Sequence, residues 1–130
     1  RLSHWFNDKF QKEVTENLLY ERVYKKIAKR GYPDSRKIKL GIRNFKFHLD
    51  YMNWLLDKRK WLAGDEMTIA DFSASAHLSS LDYINDVDWD GFPSVKDWYS
   101  KIKSRPAFRT ILSDLVTGFH PPEHYGNLDF

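Results

Sequence analysis

The run Trp61-Leu62-Ala63-Gly64-Asp65-Glu66-Met67-Thr68-Ile69-Ala70-Asp71 decides the fold. Its first half interrupts a helical pattern and its second half starts a new one. Thr68-x-x-Asp71 has the form of a capping box, with Asp in the place of the usual Glu. The Thr68 hydroxyl is placed to accept from the amide of residue 71, and the Asp71 carboxylate to accept from the amide of Thr68. Met67 and Phe72 stand where a hydrophobic staple would stand. The helix that the box opens is predicted to run to about Tyr83. It is built of Ala70, Ser73, Ala74, Ser75, Ala76, Ser79 and Ser80, and nothing from Phe72 to Leu81 carries a full charge. A helix that small and uncharged belongs at the centre, with other backbones close against it.

Outward toward the N-terminus, two long helices are predicted. Residues 2–28 carry Leu2, Phe6, Phe10, Val14, Leu18, Val23 and Ile27 at steps of four and five, which place them on one stripe. Gly31-Tyr32-Pro33-Asp34-Ser35 is a stop and a restart, with Gly31 suited to the left-handed position and Asp34 or Ser35 to the next cap. Residues 35–59 carry two stripes. One is Ile38, Ile42, Phe45, Leu49, Met52 and Leu56; the other is Leu40, Phe47, Tyr51 and Trp54. Two stripes predict a helix covered on more than one side. A short connection makes the pair an antiparallel hairpin. Outward toward the C-terminus, Val95, Trp98, Tyr99 and Ile102 mark a short helix. Pro106 opens a last one with Phe108, Ile111, Leu112 and Leu115. From Thr117 to Phe130 the period is lost, and an extended tail is expected. No convincing strand is present.

The expectation is therefore an all-α bundle at residues 1–115, with a tail at 116–130. The 130 residues fit one domain, and 42% apolar content is enough for a core. Residues 1–60 hold 16 basic and 7 acidic residues, net +9. Residues 61–130 hold 5 and 11, net −6, which together give the overall +3. A basic half attracts nucleic acid, anionic lipid or an acidic protein, but opposite solvated helix faces give the same statistics. Arg22, Lys25, Lys26, Lys29 and Arg30 cluster where basic residues also complement a helix dipole. The aromatics fall mostly on apolar stripes, so neither nucleic acid nor membrane insertion is expected as a partner.

Catalytic chemistry is thin. No cysteine is present, which excludes disulfides, thiolate zinc sites and Cys nucleophiles. His4 and His48 lie far apart in sequence. His77 is read as a satisfied core histidine, and Pro121 and Pro122 break the spacing of His120 and His124. Asp86, Asp88 and Asp90 lack the Gly and closing Glu of a calcium loop. No catalytic, cofactor or metal residue is expected. The tail is different: Tyr125, Leu128 and Phe130 are apolar, and Asp129 adds charge. Such a segment can dock in a partner's groove or fold back on its own domain.

The quoted run resembles the glutathione S-transferase C-terminal domain, where a Leu-Ala-Gly-Asp turn leads into the capped buried helix. Phe92-Pro93-Ser94-Val95-Lys96-Asp97-Trp98-Tyr99 and Lys103-Ser104-Arg105-Pro106-Ala107-Phe108 resemble the next two helices of that family. Gly31-Tyr32-Pro33-Asp34-Ser35, Ala76-His77-Leu78-Ser79-Ser80-Leu81-Asp82-Tyr83 and the ending His124-Tyr125-Gly126-Asn127-Leu128-Asp129-Phe130 are similar to an alphaproteobacterial cell-division branch of it. That branch implies a cytoplasmic, dimeric, non-enzymatic adaptor that binds filaments of the tubulin-like protein FtsZ. Asn127, Leu128, Asp129 and Phe130 would then be the partner contact. The family's thioredoxin-like domain, which binds glutathione and supplies the activating residue, is expected to be missing from these 130 residues. The chain alone would then need no cofactor, and Thr68 and Asp71 would be structural. The alternative is the substrate-binding helical half of a true transferase or glutathione-dependent isomerase.

Overall fold

The computed structural model describes residues 2–24, 31–32, 34–106, 108, 112 and 121–128. Lys25, Lys26, Ile27, Lys29, Arg30, Ile111, Leu115, Asp129, Phe130 and the side chains of Leu2 and Phe6 lie outside that description. Four helices carry most of the described residues: α1 at residues 2–24, α2 at Ser35–Lys58, α3 at Ile69–Tyr83 and α4 at Pro93–Lys103. A 3-10 turn follows at Glu123–Gly126. No strand occurs among the described residues. Trp61 and Gly64 form a single antiparallel bridge.

Helix α1 explains its own stripe. Four residues overshoot a regular turn by about 40°, so four such steps would carry a stripe nearly half-way round. Here the turns widen to π-type bonding over Phe6–Thr15 and Tyr20–Tyr24, and the amide of Glu16 reaches back five residues to the Gln11 carbonyl. The overshoot is taken up, and Phe10, Val14, Leu18 and Val23 are all buried. Side-chain amides of Asn17 and Asn44 converge on the Glu13 carbonyl at 3.0 and 3.1 Å.

Asp34 caps α2 by accepting from the amide of Arg36, and its own amide donates to the buried Glu21 carboxylate at 2.9 Å. Helices α1 and α2 run antiparallel, with Glu21 near Asp34, Leu18 near Gly41, Glu13 near His48 and Trp5 near Tyr51. Phe45, Leu49, Met52 and Leu56 of the first α2 stripe are buried, whereas Ile42 is exposed. The second stripe departs from expectation. Leu40, Phe47, Tyr51 and Trp54 are 42–69% exposed, and among the described residues no helix covers that face, though Trp5 meets the edge of Tyr51.

Helix α3 takes the central position predicted for it, burying Ala70, Ala74, Ser75, Leu78 and Ser79. Its staple is open: Met67 packs on the core, but Phe72 is 46% exposed. Helix α4 buries Trp98, Tyr99 and Ile102, with Trp89 stacked 4.6 Å from the Tyr99 ring. Its first amides, those of Ser94 and Val95, are capped from α2 by the Asn53 side chain. Phe108 and Leu112 are helical and buried.

Candidate functional site

Three polar assemblies are built on this frame. The first joins the decisive turn to α4. Asp71 is wholly buried. Its Oδ2 accepts from the Thr68 amide at 2.8 Å, and its Oδ1 accepts from the Leu62 amide at 3.0 Å and the Trp98 indole at 2.9 Å. The Thr68 hydroxyl accepts from the Ala70 amide at 3.3 Å and also from the Asp71 amide, so both halves of the predicted capping box are formed. The carboxylate therefore ties three segments together and is saturated by donors.

The second assembly is a groove of 540 Å³ along α1, lined in part by Thr15, Glu16, Tyr20, Lys37, His77 and Ser80. His77 Nδ1 lies 3.2 Å from the Thr15 hydroxyl, with the Phe10 ring beside it. Burial pulls the His77 pKa down and favours the neutral ring. His48 lies deeper, 3.0 Å from the Glu13 carboxylate and against Trp5. Burial lowers its pKa too, with Glu13 opposing the shift. No group of three or more metal-ligating side chains occurs among the described residues. None of their helices is long and apolar enough to cross a membrane.

The third assembly holds the tail. Lys103, fully buried on α4, donates to the carbonyls of His124 and Asn127 at 3.2 and 3.0 Å. Ser79 and Tyr125 share a hydroxyl hydrogen bond at 2.9 Å, and Tyr125 packs edge-on to Tyr83. Asp82, also buried, receives His124 Nε2 at 2.8 Å and the Trp89 indole at 2.9 Å. Ser100 donates to the Leu128 carbonyl. Burial drives the Tyr99 hydroxyl far above the usual tyrosine range, with Asp82 adding to the shift. It lowers the Lys103 pKa, against the pull of Asp82. Of the tail residues singled out in the sequence, Asn127 is exposed and Leu128 packs partly on the core. Asp129 and Phe130 lie outside the described residues.

A family model described as "Glutathione S-transferase, C-terminal domain" matches residues 7–113. The chain belongs to the glutathione S-transferase family. Within it, this C-terminal domain is 47% identical over all 130 residues to FtsZ-localized protein A of Caulobacter vibrioides. It is 33% identical over 116 residues, 87% of the chain, to the glutathione S-transferase-like protein LUC7 of a Fusarium species, of which it covers 48%. The solved structure of FzlA from C. crescentus superposes with a TM-score of 0.97 at 47% identity over the whole chain. A glutathione S-transferase structure from Rhodospirillum rubrum superposes at 0.94 with 48% identity, again over the whole chain. The domain spans 57% of FtsZ-localized protein A and of the FzlA structure, and 58% of the Rhodospirillum structure.

Sequence reasoning found the capping box of this domain. It missed Lys103, Asp82 and Asn53. Lys103 follows the buried face of α4 in sequence, one residue after Ile102, and an uncommitted lysine reads as solvent-facing. Asp82 stood beside Leu81 and Tyr83 at the end of a helix whose residues Phe72 to Leu81 carry no full charge, and that was the available signal.

Proposed function

We propose that this chain is the helical half of a GST-like, non-enzymatic adaptor that binds FtsZ filaments in the cytoplasm during bacterial cell division. Asn127, Leu128, Asp129 and Phe130 form the contact. The observation that carries this reading is the 47% identity to FtsZ-localized protein A, which runs over the whole chain, tail included. The tail's anchored stem supports a presented peptide rather than a loose end. The test is co-sedimentation of the full gene product with FtsZ filaments, beside a form lacking residues 127–130. Pelleting that disappears with those residues is expected. Equal pelleting of both forms would remove the tail from the reading. On this reading the chain takes no cofactor, and glutathione binds only through a thioredoxin-like domain.

The adaptor is proposed to work as a homodimer. The exposed row Leu40, Phe47, Tyr51 and Trp54, in which Tyr51 and Trp54 stack at 6.3 Å, supports this. An apolar row of that kind marks an interaction surface. Sedimentation of a Phe47→Glu form as a monomer, against a dimeric parent, is the expected outcome.

The groove along α1 and the likeness to the Rhodospirillum transferase favour a second reading, the substrate-binding half of a glutathione transferase or isomerase. Thiol conjugation by the full gene product, lost on filling the groove at Ser80 with Trp, would establish it over the adaptor.

A further inference from the structure

Lys103 has no exposed surface. Lysines are almost never fully buried without a partner, because an ammonium loses its hydration there. This one directs its ammonium at backbone carbonyls of the C-terminal segment, those of His124 at 3.2 Å and Asn127 at 3.0 Å. It also lies 5.1 Å over the Tyr99 ring. Ser100, one turn earlier on α4, donates to the Leu128 carbonyl at 2.9 Å. From α3, Asp82 holds the His124 ring and Ser79 holds the Tyr125 hydroxyl. Four side chains from two helices thus grip the stretch from His124 to Leu128. Tyr125 of that stretch is buried in the core and Leu128 packs partly against it, so apolar contact holds these two side chains while the polar bonds hold the backbone. What the arrangement fixes is backbone position.

We propose that Lys103 and Ser100 are positioning residues for the partner contact, clamping the backbone at 124–128 so that the tail meets its partner already ordered. The inference rests on the reading of the tail as the FtsZ contact. A loose peptide must give up backbone and rotamer freedom when it binds, and a clamped one has already done so. The clamp is electrostatic and directional: one buried cation with two acceptors three residues apart defines both the place and the orientation of the last turn.

The test uses the full gene product, FtsZ filaments and three altered forms. Lys103→Met keeps the apolar stem and removes the donor. Ser100→Ala removes only the donor to Leu128 at a half-buried site. The form lacking residues 127–130 is the control for the tail itself. Lys103→Met should bind filaments at least tenfold more weakly, and Ser100→Ala a few-fold. In the unbound protein, hydrogen exchange of the amides at 123–128 should quicken while α3 and α4 keep their protection. If the truncated form fails to bind but Lys103→Met binds like the parent, the clamp is overturned and the tail reading stands. If the truncated form binds like the parent, both fall. If Lys103→Met does not fold, Ser100→Ala decides: a few-fold loss with local fast exchange supports the clamp, and parental affinity overturns it. A synthetic peptide of residues 121–130 competing as tightly as the intact protein would also overturn it, since pre-ordering would then contribute nothing.

Discussion

Asp71 has no exposed surface and three donors to satisfy. Asp71→Ala leaves the amides of Leu62 and Thr68 and the Trp98 indole without their acceptor. Each buried orphan costs about 1–3 kcal/mol, so the sum approaches the top of the single-substitution range, about 3–5 kcal/mol. Thermal unfolding of Asp71→Ala should show a large drop in Tm, and an unchanged Tm would contradict the hub. Thr68→Ala removes one cap acceptor and should cost about 0.5–2 kcal/mol. His48 and His77 give the pH dependence. Burial lowers both pKa values in the folded state, even though Glu13 pulls His48 the other way. The unfolded chain therefore binds protons first as the pH falls below about 6.5. Their contribution is fully present above that pH and is lost as the pH drops through the folded values. The urea midpoint should fall between pH 7.5 and 5.5, and the His48→Gln, His77→Gln double variant should show a shallower fall.

Helices α1 and α2 approach closely at Gly41. A Cβ there would sit 3.0 Å from both Asn17 Cβ and Leu18 Cγ. Gly41→Ala gains about 1 kcal/mol of helix propensity but loses about 1–3 kcal/mol to overpacking of a fixed interface. A net loss of about 1 kcal/mol is expected from denaturant titration, and a gain would mean that the helices part freely. Helix α4 carries a borrowed cap. Phe92 at its N-cap makes no side-chain capping bond, and Asn53 of α2 accepts from two of its first amides instead. Asn53→Ala should cost about 0.5–2 kcal/mol, read in the same titration. Elements with one regular period were legible in sequence: α1 from its stripe, α3 from its box and small residues, α4 from Val95, Trp98, Tyr99 and Ile102. The outcome of the second α2 stripe was not legible. An apolar row says only that it wants a partner, and whether this chain supplies one depends on where the other helices lie.

At the scale of the whole molecule, the basic and acidic halves touch where Arg22 meets the half-buried Asp86 at 2.7 Å. Burial raises the Asp86 pKa, and Arg22 opposes the shift. The acidic loop is thereby partly a docking element of the fold. Removing residues 127–130 deletes one acceptor of Lys103 and the acceptor of Ser100 but leaves the core layers of α1 to α4 intact. Its far-UV circular dichroism should match the parent, with a Tm lower by a few degrees; an unfolded spectrum would show the tail to be core.

The sequence by itself determined the helical architecture, the central place of α3 and the Thr68–Asp71 capping box. Those features rest on local spacing and on hydrogen bonds that close within a few residues. Tertiary structure alone decided that Lys103, Asp82 and Ser100 hold the tail, that Asn53 caps α4 and that the second α2 stripe stays open. Each of those depends on groups 21 to 42 residues apart, or on a neighbour that is or is not there, and the local period of a chain carries no record of such distances.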